Sequence, residues 1–268
     1  MIKLIVKQDD TLIDYLQKLH ISKKTINEIK GIDLYKACNK NEIISFSLDD
    51  VNTTIPYDHK IDICYEDNDI LLVNKEAGVL VHSDGSSNEA LDNMVSFYFK
   101  SKNINDNFYH VNRIDRDTSG IVIYAKNLLV ENYMNYLIEH HLVKKDYLAL
   151  VNGVVRPLKG KIEQPISRDR HNSKKYIVNK SGKKAVTFYK VIGTTDKDSL
   201  LSINIETGRT HQIRVHFAYI GHPIVGDELY GTKDSFLHLV AYRVSFIPFN
   251  ENSIETYCLK YPKWATKA

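Results

Sequence analysis

The stretch Asn112-Arg113-Ile114-Asp115-Arg116-Asp117-Thr118-Ser119-Gly120 places two carboxylates, two guanidinium groups and two hydroxyls between strand-like pieces at Tyr109–Val111 and Ile121–Tyr124. A loop carried on strand ends holds such groups on one rigid edge, as functional loops do. Asp115 is the candidate nucleophile or general base, with Arg113 and Arg116 as cations within reach. A hairpin tip tied by salt bridges accounts for the same composition.

A second cluster, ETGRTHQIRVH, runs from Glu206 to His216. Gly208 permits a tight turn between a strand ending near Ile205 and a helix with Ile213 and Phe217 at apolar positions. The free N–H groups of a helix start favour an anion nearby. Arg209, at the strand end, offers a fork for a carboxylate or a phosphate. His211 and His216 do not share a helical face, which argues against a metal site there. Third comes a basic stretch, Arg168, Arg170, Lys174, Lys175, Lys180, Lys183 and Lys184 around Tyr176, with Asp169 its one acid. Such a segment suits phosphate contacts and its ring could stack on a base, although a solvated loop has the same composition. Tyr147, in KKDYLALV, opens a strand and by itself reads as a core or edge tyrosine.

The elements that must position these groups are mostly strands. They are expected at Ile61–Tyr65, Ile70–Val73, Val79–Val81, Ile121–Tyr124, Tyr147–Val151, Ala185–Val191, Leu200–Ile205 and Leu237–Phe246, from apolar β-rich runs bounded by turn residues. Helical spacing recurs near Glu89–Lys100, Leu128–His141 and Thr210–Ile220. Strands and helices without regular βαβ alternation imply an α+β fold with a mixed, mainly antiparallel sheet core and flanking helices. Residues 1–50 read as a small module of their own. Leu12, Leu16 and Leu19 follow the capping candidates Asp10 and Thr11, Ser22 caps a second short helix, and Ile44, Phe46 and Leu48 alternate as a half-buried strand. A polar linker around residues 51–60, with Pro56, leads into a catalytic domain at 61–268.

The bulk numbers exclude several classes. With 268 residues, 43% hydrophobic and 26% charged, the chain is an ordinary globular protein. A net charge of +3 is far too small for a ribosome-associated structural protein. Cys38, Cys64 and Cys258 have neither disulfide-framework nor metal-ligand spacing and read as reduced thiols. No stretch approaches the ~20 apolar residues of a membrane span. The chain carries no GxGxxG or P-loop motif. A cytoplasmic location, no membrane partner, no metal and no cofactor are the expectations.

At its polar clusters the chain resembles the RluA-type family of RNA pseudouridine synthases, from Ile61 to Phe249, about seventy per cent of its length. NRIDRDTSG is similar to that family's catalytic loop, with Asn112 where His is usual and Ile114 where Leu is. VNKEAGVLVHS (Val73–Ser83) resembles its early NKPAG segment, with Glu76 in place of the proline. TGRTHQIRVHFAYIGHPIVGDELYG (Thr207–Gly231) resembles its third motif, and KKDYLALVNG supplies its tyrosine. The resemblance implies that Asp115 is the catalytic aspartate, Arg209 its ion-pair partner and Tyr147 the ring stacked on the target uracil. It further implies that Arg113 enters the helix where the flipped base was and that Ile213 lines the pocket. The N-terminal fifty residues resemble, over a short stretch, the small RNA-binding module that often precedes these enzymes. The expected partner is structured RNA, rRNA or tRNA, contacted also by Arg168, Arg170, Lys174, Lys175, Lys183 and Lys184, and the expected state is a monomer. A non-catalytic RNA-binding protein and an RNA N-glycosylase are the competing readings.

Overall fold

A computed structural model describes residues 2–48, 53–85, 87–104 and 107–266. The expected N-terminal residues 49–50 and the first linker residues, 51–52, lie outside the described residues. The N-terminal elements are β1 (Ile2–Ile5), β2 (Asp10–Thr11), α1 (Leu12–Lys18), α2 (Lys23–Asn27), β3 (Ile29–Lys30), β4 (Ala37–Cys38) and β5 (Ile43–Leu48). Thr11 and Ser22 accept from the Asp14 and Thr25 amides and so cap the two helices. β5 pairs antiparallel with β1 and β3, and buries Ile44 and Phe46 while turning Ile43 and Ser45 outward.

The rest is built on β6 (Asp62–Glu66), β7 (Ile70–Lys75), α3 (Leu91–Ser101), β8 (Tyr109–His110), β9 (Ser119–Ala125), α4 (Leu128–Glu139) and β10 (Lys144–Asn152). There follow β11 (Lys159–Glu163), β12 (Ile166–Arg168), β13 (Tyr176–Val178), β14 (Val186–Thr194), β15 (Asp198–Ile205), α5 (Gln212–Tyr219), β16 (Leu239–Phe246) and β17 (Glu255–Cys258). Ten strands form one sheet with the central order β11-β14-β15-β10-β16-β9-β7-β6. Among these pairings only β16–β9 is parallel. The fold is therefore the mixed, mainly antiparallel α+β sheet expected from the sequence. β7 and β9 are buried almost continuously, as strands covered on both faces must be.

Gly120 fixes the point where the two halves of the sheet meet. Its φ is +119°, and a Cβ there would lie 2.3 Å from the Ala241 carbonyl oxygen of β16. Only glycine lets the chain leave the polar loop and run beside β16.

The N-terminal elements pack on α4. Leu12 and Leu16 share one apolar cluster with Leu129 and Met134, and each such buried side chain contributes about 1.5–3 kcal/mol relative to exposure. Asn132 Oδ1 accepts from the Ser22 amide and the Thr25 hydroxyl, both at 3.0 Å, and the His20 ring stacks on Tyr136. Residues 54–57 lie along α3, tied by Asn93 Nδ2 to the Ile55 carbonyl and by Ser96 to the Thr54 carbonyl.

The strand expected at Val79–Val81 is absent; the segment is irregular. Its carbonyls are taken elsewhere. Leu80 and Val81 accept from the first amides of α3, whose cap Ala90 offers no side-chain acceptor, and Val79 accepts from Lys75 Nζ. Capping a helix has displaced strand pairing.

Candidate active site

Residues 112–118 lead into β9 at the junction with β16. Asn112 is buried, and its side chain clamps the loop to β9: Oδ1 accepts from the Ile123 amide at 2.8 Å and Nδ2 reaches the Ile121 carbonyl at 3.4 Å. An amide at this position thus serves the backbone, and no imidazole is needed to hold the stem. The Thr118 amide donates to the Asp115 carbonyl at 3.1 Å, closing a turn that leaves the Asp115 side chain only partly exposed.

A second clamp holds the far side of the loop. Lys75 is 1% exposed and donates through Nζ to the carbonyls of Glu76, Val79 and Arg116 at 2.7–2.8 Å. Burial pulls its pKa down to about 7, while the carboxylates of Asp117 and Asp115 act in the opposite sense. Three carbonyl acceptors match the three N–H groups of the ammonium form. The Gly78 amide donates a hydrogen bond to the same Arg116 carbonyl. Sequence reasoning passed over Lys75; its signal was a lysine ending an otherwise apolar strand, where an amine must find acceptors.

The cation beside Asp115 is Arg214, not Arg209. Arg214 Nη1 lies 3.8 Å from Asp115 Oδ2. The same guanidinium is gripped by fully buried Asp227 through two contacts of 2.8 Å. Burial alone would weaken its charge, but Asp227 and Asp115 together raise its pKa above the ordinary arginine value. Arg209 is exposed and gives its Nε to the Lys184 carbonyl at 3.0 Å. It precedes α5, whereas Arg214 sits within the helix. α5 buries Gln212 through Phe217 without interruption. An arginine in such a run must be paired, and that was the available signal.

Polar side chains lock α5 in place. Gln212 accepts from the Thr207 hydroxyl and the Arg209 amide and donates to the Val186 carbonyl. His216 bridges Thr187 and the Gln164 carbonyl.

Tyr147 on β10 is 7% exposed and shares an apolar cluster with Ile213, with Ile114 of the polar loop packed against it. Its hydroxyl pKa is raised, by burial first and then by the Asp115 charge, so the phenol stays neutral beside the carboxylate. Asp115, Arg214, Tyr147 and Ile213 therefore converge. Arg113 is exposed on the loop. Next to them opens a cleft of about 720 Å³, lined by Arg116, Asp117, Lys174, His211, Arg214 and Phe236 among others, a size suited to a small organic moiety such as one nucleotide.

The first part of the basic stretch folds as the hairpin β12–β13, and Lys180, Lys183 and Lys184 follow it. Lys174 reaches the cleft lining, Lys175 Nζ lies 5.9 Å above the Tyr230 ring, and Arg168 turns back onto its own loop at the Ser173 carbonyl. Lys184 lies 3.7 Å from Glu206, and Arg170 and Lys183 are exposed.

Among the described residues one group could hold a metal ion, His82, Asp92 and His110. Its separations are hydrogen-bond lengths, 2.9 and 3.0 Å from the two Nδ1 atoms to Asp92 Oδ2, and Tyr124 donates to the other oxygen. The carboxylate is satisfied without an ion.

Comparison with known proteins assigns the family. Residues 69–219 match the model of the RNA pseudouridylate synthase family. The chain belongs to that family. It is 35% identical over 257 residues to ribosomal large subunit pseudouridine synthase D of Borreliella burgdorferi, covering 90% of this chain and 78% of the relative. It is 38% identical over 193 residues to an uncharacterized RNA pseudouridine synthase, YhcT, of Bacillus subtilis, covering 70% of this chain and 64% of that protein. The solved structure of human RNA pseudouridylate synthase domain containing 1 shares the fold, with a TM-score of 0.65 at 24% identity over 76% of this chain and 84% of that one. The RluA-type resemblance read from the motifs is thus correct, and pseudouridine synthases are isomerases.

Proposed function

We propose that the protein isomerises a uridine in structured RNA to pseudouridine, with Asp115 as the carboxylate that acts on the nucleotide. The observation that carries this reading is the array Asp227–Arg214–Asp115 set beside the buried ring of Tyr147. The reaction breaks the N1–C1′ bond, turns the uracil and joins C5 to C1′; N1 gains a proton and C5 loses one. A carboxylate near C1′ or C6 must stay ionised, and a fixed neighbouring cation favours that form. Asp227 holds Arg214 so that its charge costs no reorganisation when the nucleotide arrives. Tyr147 gives the detached base an apolar face on which to turn, and Ile213 closes the pocket around it. Arg113 fills the helix vacated by the flipped base; its exposure on the loop two residues before Asp115 supports that role. Cations of the β12–β13 hairpin contact phosphates. The relative's ribosomal name makes large-subunit rRNA the first substrate to test, with tRNA second. No cofactor enters this scheme, and we infer a monomer working in the cytoplasm.

The test is incubation with rRNA carrying uridine tritiated at C5. Tritium release without free uracil supports isomerisation. Free uracil would identify an N-glycosylase, and neither product would leave a non-catalytic RNA-binding protein.

A further inference from the structure

His211 lies at the mouth of the candidate active site in a conformation that needs explaining. It is the residue before α5, with φ +57° and ψ 18°, a left-handed backbone that a side chain with a Cβ adopts at a cost. Such strain persists where the surroundings over-determine it. Here the ring stands edge-on to two tyrosines, Tyr176 at 5.5 Å and Tyr230 at 5.6 Å between centroids. It also lines the cleft that Arg214 lines.

The hydrogen bonds around the ring suit the tautomer in which Nδ1 accepts. The Tyr176 amide donates to the Tyr230 hydroxyl oxygen at 2.8 Å, and the Tyr230 hydroxyl lies 2.8 Å from His211 Nδ1. The phenol, already accepting from the amide, keeps its own proton for Nδ1, and in that arrangement the imidazole carries its hydrogen on Nε2. Nε2 makes no hydrogen bond among the described residues. The fully buried side-chain atoms without a partner are Asn93 Oδ1, Tyr109 Oη and Thr118 Oγ1 among those residues, so Nε2 is open to the cleft. Burial lowers the imidazole pKa and keeps the ring neutral, with the charges of Asp115 and Arg214 close enough to act on it.

Resting on the reading that this cleft receives the target uridine, we propose that His211 binds substrate, donating its Nε2–H to a carbonyl oxygen of the flipped uracil. A neutral donor suits a neutral carbonyl, and the guanidinium and ammonium groups of Arg116 and Lys174, which line the same cleft, suit the phosphates. The chain from the Tyr176 amide through Tyr230 to His211 also links the loop end of the basic hairpin to the base-binding pocket. RNA seated on that hairpin would aim the donor at the base.

Two substitutions separate donor from packing. His211→Phe keeps a ring between the tyrosines and removes the donor. His211→Gln removes the ring and keeps an N–H donor near the Nε2 position. Single-turnover tritium release is followed from a large-subunit rRNA transcript tritiated at uridine C5, with melting temperature and RNA affinity measured alongside. His211→Phe should slow release about tenfold and His211→Gln by about threefold or less, the range of one neutral hydrogen bond. Tyr230→Phe, which frees Nδ1 without touching the strained backbone, should slow it several-fold and carries the test should His211→Phe not fold. Equal losses in the two His211 variants, a slower Gln than Phe, or an unchanged Tyr230→Phe would overturn the proposal. Asp115→Asn is run beside them. Release from that variant would instead overturn the underlying reading of the site, whatever His211 does.

Discussion

Replacing Arg214 by Met would strand a charge. Asp227 is fully buried and its cation is that guanidinium, held by two 2.8 Å contacts. Leaving a buried carboxylate unpaired costs on the order of 3–5 kcal/mol, or roughly 6–20 °C in Tm for a chain of this size. Asp227 Oδ1 also accepts from the amides of Leu229 and Tyr230 at 3.0 and 3.1 Å. A compensating substitution must therefore be neutral and keep that acceptor, which Asn does. The double variant Arg214→Met/Asp227→Asn should regain most of the lost Tm. It should not regain activity, because Asp115, 3.8 Å from the guanidinium in the native protein, has still lost its cation. Thermal melts followed by near-ultraviolet circular dichroism and tritium release from C5-labelled RNA read the two quantities separately. A double variant that melts as low as Arg214→Met, or one that recovers tritium release, would refute the separation of structural and catalytic roles.

Three further outcomes are expected. Arg113→Ala should lose more activity on a duplex-embedded uridine than on an unpaired one if this exposed side chain fills the vacated helix as proposed; equal losses would remove the flipping role. Replacing Lys174, Lys175, Lys183 and Lys184 by Ala should flatten the salt dependence of RNA binding by about 0.7 in log K per log[salt] for each lost phosphate contact, and an unchanged slope would mean a merely solvated hairpin. Burial pushes the Asp92 carboxyl up, but donors from His110, His82 and Tyr124 outweigh it and hold the pKa below the usual range. A folded pKa below the unfolded one stabilises above about pH 4 and is lost as pH falls through the folded value, so Asp92→Asn should flatten the acid limb of the stability profile.

The sheet was legible because its strands are dense in apolar residues and bounded by turn chemistry. β9, β10, β15 and β16 fall within a few residues of their expected spans. The helix ends were legible where caps are side chains, at Thr11 and Ser22. They were not where the cap is another segment's backbone, as at α3, because long-range carbonyl acceptors leave no local trace. The same limit explains the arginine. Arg209 fits an anion-binding pattern in one dimension, and only the packing of α5 shows that Arg214 is the one beside Asp115. Asp227, which holds Arg214, lies thirteen residues on and was seen merely as part of a motif. Lys75 escaped because its partners are backbone carbonyls, two from the segment that follows it and one from distant Arg116, and carbonyls carry no residue signature.

The central claim is that Asp115 performs the chemistry. Asp115→Asn preserves shape and most hydrogen-bonding capacity while removing the charge. Asp117→Asn is the built-in control, two residues away and paired with exposed Arg116 at 3.1 Å. Product and substrate have equal mass, so tritium released from C5 of labelled RNA is the direct measure. Release should fall to background in Asp115→Asn, with melting temperature and RNA affinity little changed, and persist in Asp117→Asn. Normal turnover by Asp115→Asn, or a dead Asp117→Asn, would contradict the account.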